Sequence, residues 1–287
     1  LLKSANYSLE YSKIMGKNRM TVFSRDILAD RERRLELLEL LRESVERGFA
    51  GFTIHYQPQV DTVSGRLCGA EALARWHCTK YGDVSPGEFI PLMEQSGLII
   101  PFGQWILSRG MAQCLEWCRF RPDFQISVNL SYIQLAQGDF ISFLRTALEE
   151  HSLAPSKIIL ELTETYLAKA EEDTLRMIAQ MKELGVKIAM DDFGVGYSSL
   201  FSLKSIPVDV VKIDRGFVKG ITSDLFNATF IRSITDLCHD VGRKVCLEGV
   251  ETEEEYEAVR ELGMEYIQGY YFGRPMSARR FEDRLKE

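Results

Sequence analysis

The sequence predicts an α/β fold, a (β/α)8 TIM-like barrel with an antiparallel first strand. Three observations carry this. From Gly51 to the end of the chain, β-rich runs alternate with helical runs. Eight of the runs are strand candidates with helices between most of them, which favours a closed barrel over an open sheet. The first two strands are separated only by Asp61 to Arg66, a segment containing Ser64-Gly65. That gap suits a hairpin and is too short for a parallel crossover.

In chain order, the strand candidates are 52–60, 67–76, 125–130, 157–163, 186–191, 209–214, 244–249 and 266–272. The helix candidates are 86–96, 102–120, 131–151, 170–184, 225–241, 252–262 and 278–286. Upstream of them, residues 30–47 are charge-rich, with Leu35, Leu38, Leu41 and Val45 spaced for an amphipathic helix. That helix reads equally as a semi-rigid linker and as the first helix of the barrel. Residues 5–23 read as a helix, a stop at Gly16 and a short strand. The chain opens at Leu1 instead of Met, which suggests a piece of a longer polypeptide.

The formal net charge of −7 argues against a protein that holds DNA through a broad basic surface. An anionic ligand remains compatible with it where bound metal supplies local positive charge. The longest uncharged apolar stretch, Gly97 to Leu107, is too short to span a bilayer and contains Pro101. The six cysteines form no CxxC pair and no Cys/His cluster of the kind that binds zinc. They read as reduced thiols of a cytoplasmic domain, although the full-length protein could be membrane-anchored. His55, His77, His151 and His239 form no spaced ligand set.

The chemistry is concentrated where core strands carry polar residues. Glu71, Asn129, Glu161, Asp191, Asp192, Lys212 and Glu248 each fall in, or at the C-terminal half of, a strand candidate. In a barrel those ends converge on one mouth. Carboxylates gathered there would repel one another and raise each other's pKa, and a divalent cation removes the conflict. Oxygen ligands without Cys or His point to Mg²⁺ or Mn²⁺, with Ca²⁺ as a non-productive, inhibitory substitute. Lys212 and Asp214 share one strand face by the period-two rule, so the lysine points into the mouth among anions and stays protonated.

Ordered motifs then give a resemblance. Tyr56-Gln57-Pro58, Glu71-Ala72-Leu73 followed by Arg75, Asn129-Leu130-Ser131, Glu161-Leu162-Thr163-Glu164, Asp191-Asp192-Phe193-Gly194, Lys212-Ile213-Asp214, Glu248-Gly249-Val250-Glu251 and Gln268-Gly269-Tyr270 follow one another at near-family spacing. Residues 52–280 resemble the EAL phosphodiesterase family. The resemblance implies hydrolysis of cyclic di-GMP to linear pGpG with two metal ions. It implies Glu71, Asn129, Glu161 and Asp191 as ligands of one ion, Asp192 of the second with Asp191 shared, and Glu248 completing the site. Lys212 would sit beside the attacking water, and Gln268 would orient water or a ligand. Glu164 would hold the loop after Asp192. Gln57, Leu73, Arg75, Asp214 and Glu251 would meet the substrate, with Arg75 gripping a phosphate.

The resemblance also implies a homodimer through the loop from Phe193 to Leu200. One departure stands at Val195, where the family usually has Thr or Ala; the hydroxyl of Thr is lost there. Gly16-Lys17-Asn18-Arg19 and its surroundings resemble the end of a GGDEF domain. The expected organisation is therefore residues 1–28 as a GGDEF remnant, 29–48 as a helical linker and 49–287 as the EAL domain. Upstream GGDEF or sensor domains are expected in the full-length protein. A catalytically silent cyclic di-GMP receptor is the alternative reading, and a turnover assay separates the two.

Overall fold

The computed structural model describes residues 5, 8, 9, 12, 18, 20–136, 139–168, 170–196 and 200–286, with only the backbone of 200–202. Most of the expected N-terminal helix over 5–16 lies outside these residues. Met20 to Phe23, expected in a short strand, pair with no strand among the described residues. The chain divides into two compact units, residues 1–52 with 76–98 and residues 53–75 with 99–287.

In the first unit a helix spans Arg25–Glu46. It starts earlier than the expected residue 30 because the Ser24 side chain caps its first turn. The helix Pro86–Ser96 begins with Pro at its first position and ends on Gly97 at φ +77°, a left-handed stop. Arg33 donates to both carboxylate oxygens of Glu88, at 2.6 and 3.0 Å. Phe52 stacks on Trp76 with centroids 5.6 Å apart, and Phe89 meets both rings edge-on.

The second unit is the barrel. Its strands are β1 (Phe52–Asp61), β2 (Leu67–Cys78), β4 (Gln125–Asn129), β5 (Ile158–Thr163), β6 (Lys187–Phe193), β7 (Val210–Ile213), β8 (Lys244–Glu248) and β9 (Tyr266–Gln268). One short strand of this unit lies outside the ring, β10 (Met276–Ser277), antiparallel to β1; in the first unit, β3 (Gly82–Val84) pairs antiparallel with residues 76–78 at the end of β2. The order is β1-β9-β8-β7-β6-β5-β4-β2, and a β1–β2 pairing closes it. Neighbours from β2 to β9 are parallel, whereas β1 runs antiparallel to β9, so the expected reversed first strand is present. The hairpin from Asp61 to Arg66 is fixed by the Asp61 side chain, which accepts from the Ser64 amide at 2.8 Å.

Two expected elements differ in kind, and two further helices appear. The strand over 266–272 stops at Gln268, and the backbone turns there, with the amides of Phe272 and Gly273 donating to the Gly269 carbonyl. A Cβ on Gly269 would stand 2.0 Å from the Val250 carbonyl oxygen, so glycine permits the close approach that ends the strand. The helix over 131–151 is two helices, Tyr132–Ala136 and Phe140–His151. Short helices at Glu164–Leu167 and Leu200–Ser205 were not expected. Among the described residues no helix is long and apolar enough to cross a membrane.

The barrel interior is layered by the period-two rule. Going two residues along each strand, Gly69 is followed by Glu71, Ile159 by Glu161, Ala189 by Asp191, Val210 by Lys212 and Cys246 by Glu248. The lower members are small or apolar, and Ile159, Ala189, Val210 and Cys246 pack with one another at the closed end. The upper members are polar and form the floor of the mouth. On the outer side, Trp117 stacks on Phe281 at 4.4 Å and meets Tyr56 and Phe124 edge-on, tying helices to the wall.

Candidate metal centre at the barrel mouth

Lys212 is the hub of the mouth. Its Nζ lies 2.7 Å from Glu161 Oε2, 2.7 Å from Glu248 Oε1, 3.1 Å from Asp191 Oδ1 and 3.7 Å from Glu71 Oε2. The side chain is 2% exposed. Burial opposes its charge, but Glu161, Glu248, Glu71 and Asp191 together outweigh burial and hold its pKa well above the ordinary lysine value. The carboxylates still outnumber the ammonium. Burial first, and then the neighbouring anions, push the Glu248 carboxyl up to about 7 and raise Glu161 well above its ordinary range. Burial and Asp191 raise Asp192 as well.

Glu71 is held at both oxygens. Asn129 Nδ2 donates to Oε1 at 2.7 Å and Gln268 Nε2 donates to Oε2 at 2.6 Å. Asn129 therefore presents its NH2 to Glu71 and keeps its carbonyl oxygen for another partner.

Asp191 and Asp192 are adjacent, so an ideal strand would send them to opposite faces. Strand β6 avoids this with an irregularity. Met190 pairs with Val211 and Phe193 with Ile213, which leaves one extra residue in β6. Asp192 takes up the slack at φ +57°, in the left-handed region. Ligand atoms of Asp191, Asp192 and Glu248 consequently lie within 4.8 Å of one another. The following loop is gripped from two sides. Glu164 Oε2 accepts from the Gly194 amide at 2.8 Å and the Gly196 amide at 3.4 Å. The Phe217 ring lies against Gly194, where a Cβ would come within 2.4 Å of it. Phe217 in turn stacks on Phe230 at 4.1 Å. Residues 197–199 of the expected dimer loop lie outside the described residues.

A divalent cation fits this constellation. Glu161 Oε1 is buried without a hydrogen bond, an acceptor with nothing to accept. The donors are oxygens, and their surplus negative charge is what a hard cation removes.

Above the carboxylates a pocket of about 200 Å³ is lined by Gln57, Leu73, Glu251 and Gln268, as well as by Glu71, Asp191 and Glu248. It also takes in Arg215, Gly249 and Tyr270, to which the sequence assigns no individual role. Gly249 and Tyr270 stand inside the motifs Glu248-Gly249-Val250-Glu251 and Gln268-Gly269-Tyr270, and Arg215 follows Asp214, so membership of a motif or adjacency to one was the available signal. Two expected substrate residues are not among the lining residues of this pocket. Arg75 donates to the carbonyl of its own neighbour Ala74 at 2.7 Å. Asp214 caps a short turn, accepting from the Gly216 amide at 2.7 Å.

A closed barrel whose strand ends gather carboxylates, amides and a buried lysine into one mouth defines an acidic, cation-seeking barrel site. The chain belongs to the EAL domain family, whose model matches residues 39–275. It is 38% identical over 279 residues to the bifunctional diguanylate cyclase/cyclic di-GMP phosphodiesterase MucR of Pseudomonas aeruginosa, covering 97% of this chain and 40% of that protein. It is 32% identical over 287 residues to the cyclic di-GMP phosphodiesterase NbdA of the same organism, covering all of this chain and 36% of that protein. The chain thus spans about two fifths of the length of these relatives. A solved structure of the PaMucR phosphodiesterase in complex with c-di-GMP superposes with a TM-score of 0.79 at 40% identity, covering 86% of this chain and 99% of that one. The cAMP-bound EAL enzyme Bd1971 gives 0.82 at 32% identity, covering 91% of this chain and 72% of that one.

Proposed function

We propose that this domain hydrolyses one phosphodiester bond of cyclic di-GMP to give linear pGpG, using two divalent cations, Mg²⁺ or Mn²⁺. The observation that carries the reading is the convergence of Glu71, Glu161, Asp191 and Glu248 on Lys212 at the mouth of the barrel. Family membership and the similarity to cyclic di-GMP phosphodiesterases support the substrate.

Glu71, Asn129, Glu161, Asp191, Asp192 and Glu248 would hold the ions. When bound, the ions polarise the phosphate, activate water and offset charge on the transition state. The chain's own residues do the rest. Gln57, Leu73 and Glu251 line the pocket that receives the nucleotide. Arg75, whose guanidinium is lodged on Ala74, swings to the anionic phosphate to form a charge-assisted pair. Lys212 keeps its proton, so it acts by hydrogen bonding and charge, orienting water and a phosphate oxygen as negative charge develops. Glu164 holds the Gly194 backbone and thereby the position of Asp192. Asp214, near Asp192, adds to the negative field that selects cations.

The wider organisation belongs to the same proposal. Residues 1–28 are the end of a GGDEF domain, 29–48 a linker, and 49–287 a cytoplasmic phosphodiesterase domain that pairs with a second copy through the loop after Phe193.

The test is incubation with cyclic di-GMP and Mg²⁺ or Mn²⁺, followed by chromatography. Appearance of pGpG, its loss on chelation and its inhibition by Ca²⁺ are expected. Intact cyclic di-GMP after prolonged incubation with either ion overturns the reading.

A further inference from the structure

Gln59 and Gln268 face each other across the β1–β9 pair. They are register partners, and both are buried on the inner wall. Gln59 Nε2 donates to Gln268 Oε1 at 2.9 Å, and Gln268 Nε2 donates to Glu71 Oε2 at 2.6 Å. Gln59 Nε2 also reaches Ser127 Oγ at 3.4 Å. Because β1 runs against its neighbours, Gln57 lines the mouth while Gln59, two residues on, sits one layer deeper beside Gly69 and Ser127.

An amide has a donating end and an accepting end, whereas a carboxylate only accepts. Gln268 serves Glu71 only with its NH2 forward, and its carbonyl then needs a donor on the far side. Gln59 Nε2 is that donor. With Gln268 turned over, its carbonyl would face the Glu71 carboxylate and its NH2 would face the NH2 of Gln59. Both contacts would be repulsive between side chains that are all buried. The chain makes room for the arrangement, since a Cβ on Gly69 would stand 2.9 Å from Gln59 Oε1.

We propose that Gln59 is a positioning residue. It fixes which end of Gln268 meets Glu71, and through that amide it fixes the direction in which the Glu71 carboxylate is presented to a metal ion. The proposal rests on the reading of Glu71 as a metal ligand.

The test measures Mn²⁺ affinity without substrate, by titration calorimetry or by the free-ion EPR signal. Gln59→Leu removes the donor at similar volume, and Gln59→Met does so with an unbranched chain if the leucine variant folds poorly. Affinity is expected to fall about 10- to 100-fold, as for other residues that orient a metal ligand. Turnover should fall while KM stays near the parent's. The decisive comparison is with Gln268→Leu. Once Gln268 is gone there is nothing to orient, so adding Gln59→Leu should change affinity little, whereas an independent packing role would multiply the losses. Unchanged Mn²⁺ affinity in both Gln59 variants, or equal effects of Gln59→Leu with and without Gln268, would overturn the proposal. A Glu71→Ala variant that binds Mn²⁺ like the parent would overturn it too. A parent that binds Mn²⁺ yet leaves cyclic di-GMP intact counts against the reaction proposed above, and the affinity comparison still decides the role of Gln59.

Discussion

Asp191 and Asp192 are neighbours in the chain, and their carboxylates meet on one side of β6 because Asp192 adopts a left-handed backbone within a bulge. A non-glycine residue in that region stores strain, of order 1 kcal/mol or more, and here the strain lies at the centre of the site. Asp192→Gly separates the two aspects. Glycine accepts φ +57° freely and brings no carboxylate. The variant is expected to be at least as stable as the parent in thermal melts. It should bind one Mn²⁺ per chain where the parent binds two, and lose at least about 100-fold in turnover, about 2.7 kcal/mol in barrier. Full stoichiometry by titration calorimetry would rule out Asp192 as a ligand.

Glu71→Ala removes an acceptor that holds Asn129 and Gln268 in place. Hydrolysis should vanish while circular dichroism and the melting profile remain those of a folded barrel, because the loss also relieves repulsion with Glu161 and Asp191. Near-parental turnover in the folded variant would sink the metal reading of this residue.

Lys212→Ala should behave differently with and without metal. In chelator, the carboxylates of Glu161, Glu248, Asp191 and Glu71 lose the ammonium that faces them, and leaving buried charge uncompensated costs about 3–5 kcal/mol. Added Mg²⁺ or Mn²⁺ should restore most of that stability while turnover stays low. Comparing denaturant midpoints with and without metal checks this; equal losses in the two conditions would contradict it. Borohydride trapping of substrate on Lys212 would contradict its assigned protonation.

Metal binding should compete with protons. The Glu248 carboxyl is pushed up to about 7 from an ordinary 4.5, so in the metal-free chain its contribution to stability is present below about 4.5 and is lost as pH rises through about 7. Glu161 shifts in the same direction. A cation takes the place of those protons. The melting-temperature gain from Mn²⁺ should therefore be larger at pH 8 than at pH 6, and calorimetry near pH 6 should register proton release. A gain independent of pH across that window would argue that Glu248 stays ionised throughout.

Glu164→Ala should lower turnover by freeing the loop that carries Gly194 and Gly196. The two amides it satisfies would lose a buried acceptor, at about 1–3 kcal/mol. Melting curves and rates measured together check it. A variant that loses stability but keeps its full rate would show that the grip is structural alone.

Much of this arrangement was legible in the sequence because a strand has a period of two. Placing Glu161 in Ile-Leu-Glu-Leu and Lys212 in Val-Val-Lys-Ile was enough to aim both into the barrel, and the Ser64-Gly65 turn was enough to reverse β1. Other features depend on contacts between distant segments. The end of β9 at Gln268 is set by the approach of Val250 to Gly269, which no local pattern announces. The extra residue in β6 shows itself only once Val211 and Ile213 are seen as partners. Gln59 stands in the same Gln-Pro-Gln run as Gln57, and the difference in their depth appears only through the pairing with Gln268. Arg75 and Asp214 carry motif identities, yet their side chains are engaged with nearby backbone.

The ammonium of Lys212 is encoded in the chain, so no chelator can withdraw it and no shortage of metal can delay it. Proteins whose only neutralising charge is a bound ion couple folding to metal supply. Here the compensating charge arrives with the seventh strand itself, as that strand joins the wall. The barrel is therefore expected to close before any ion is present, with loading as a separate event. Cooperative unfolding of the parent chain in excess EDTA is the expected signature of that independence.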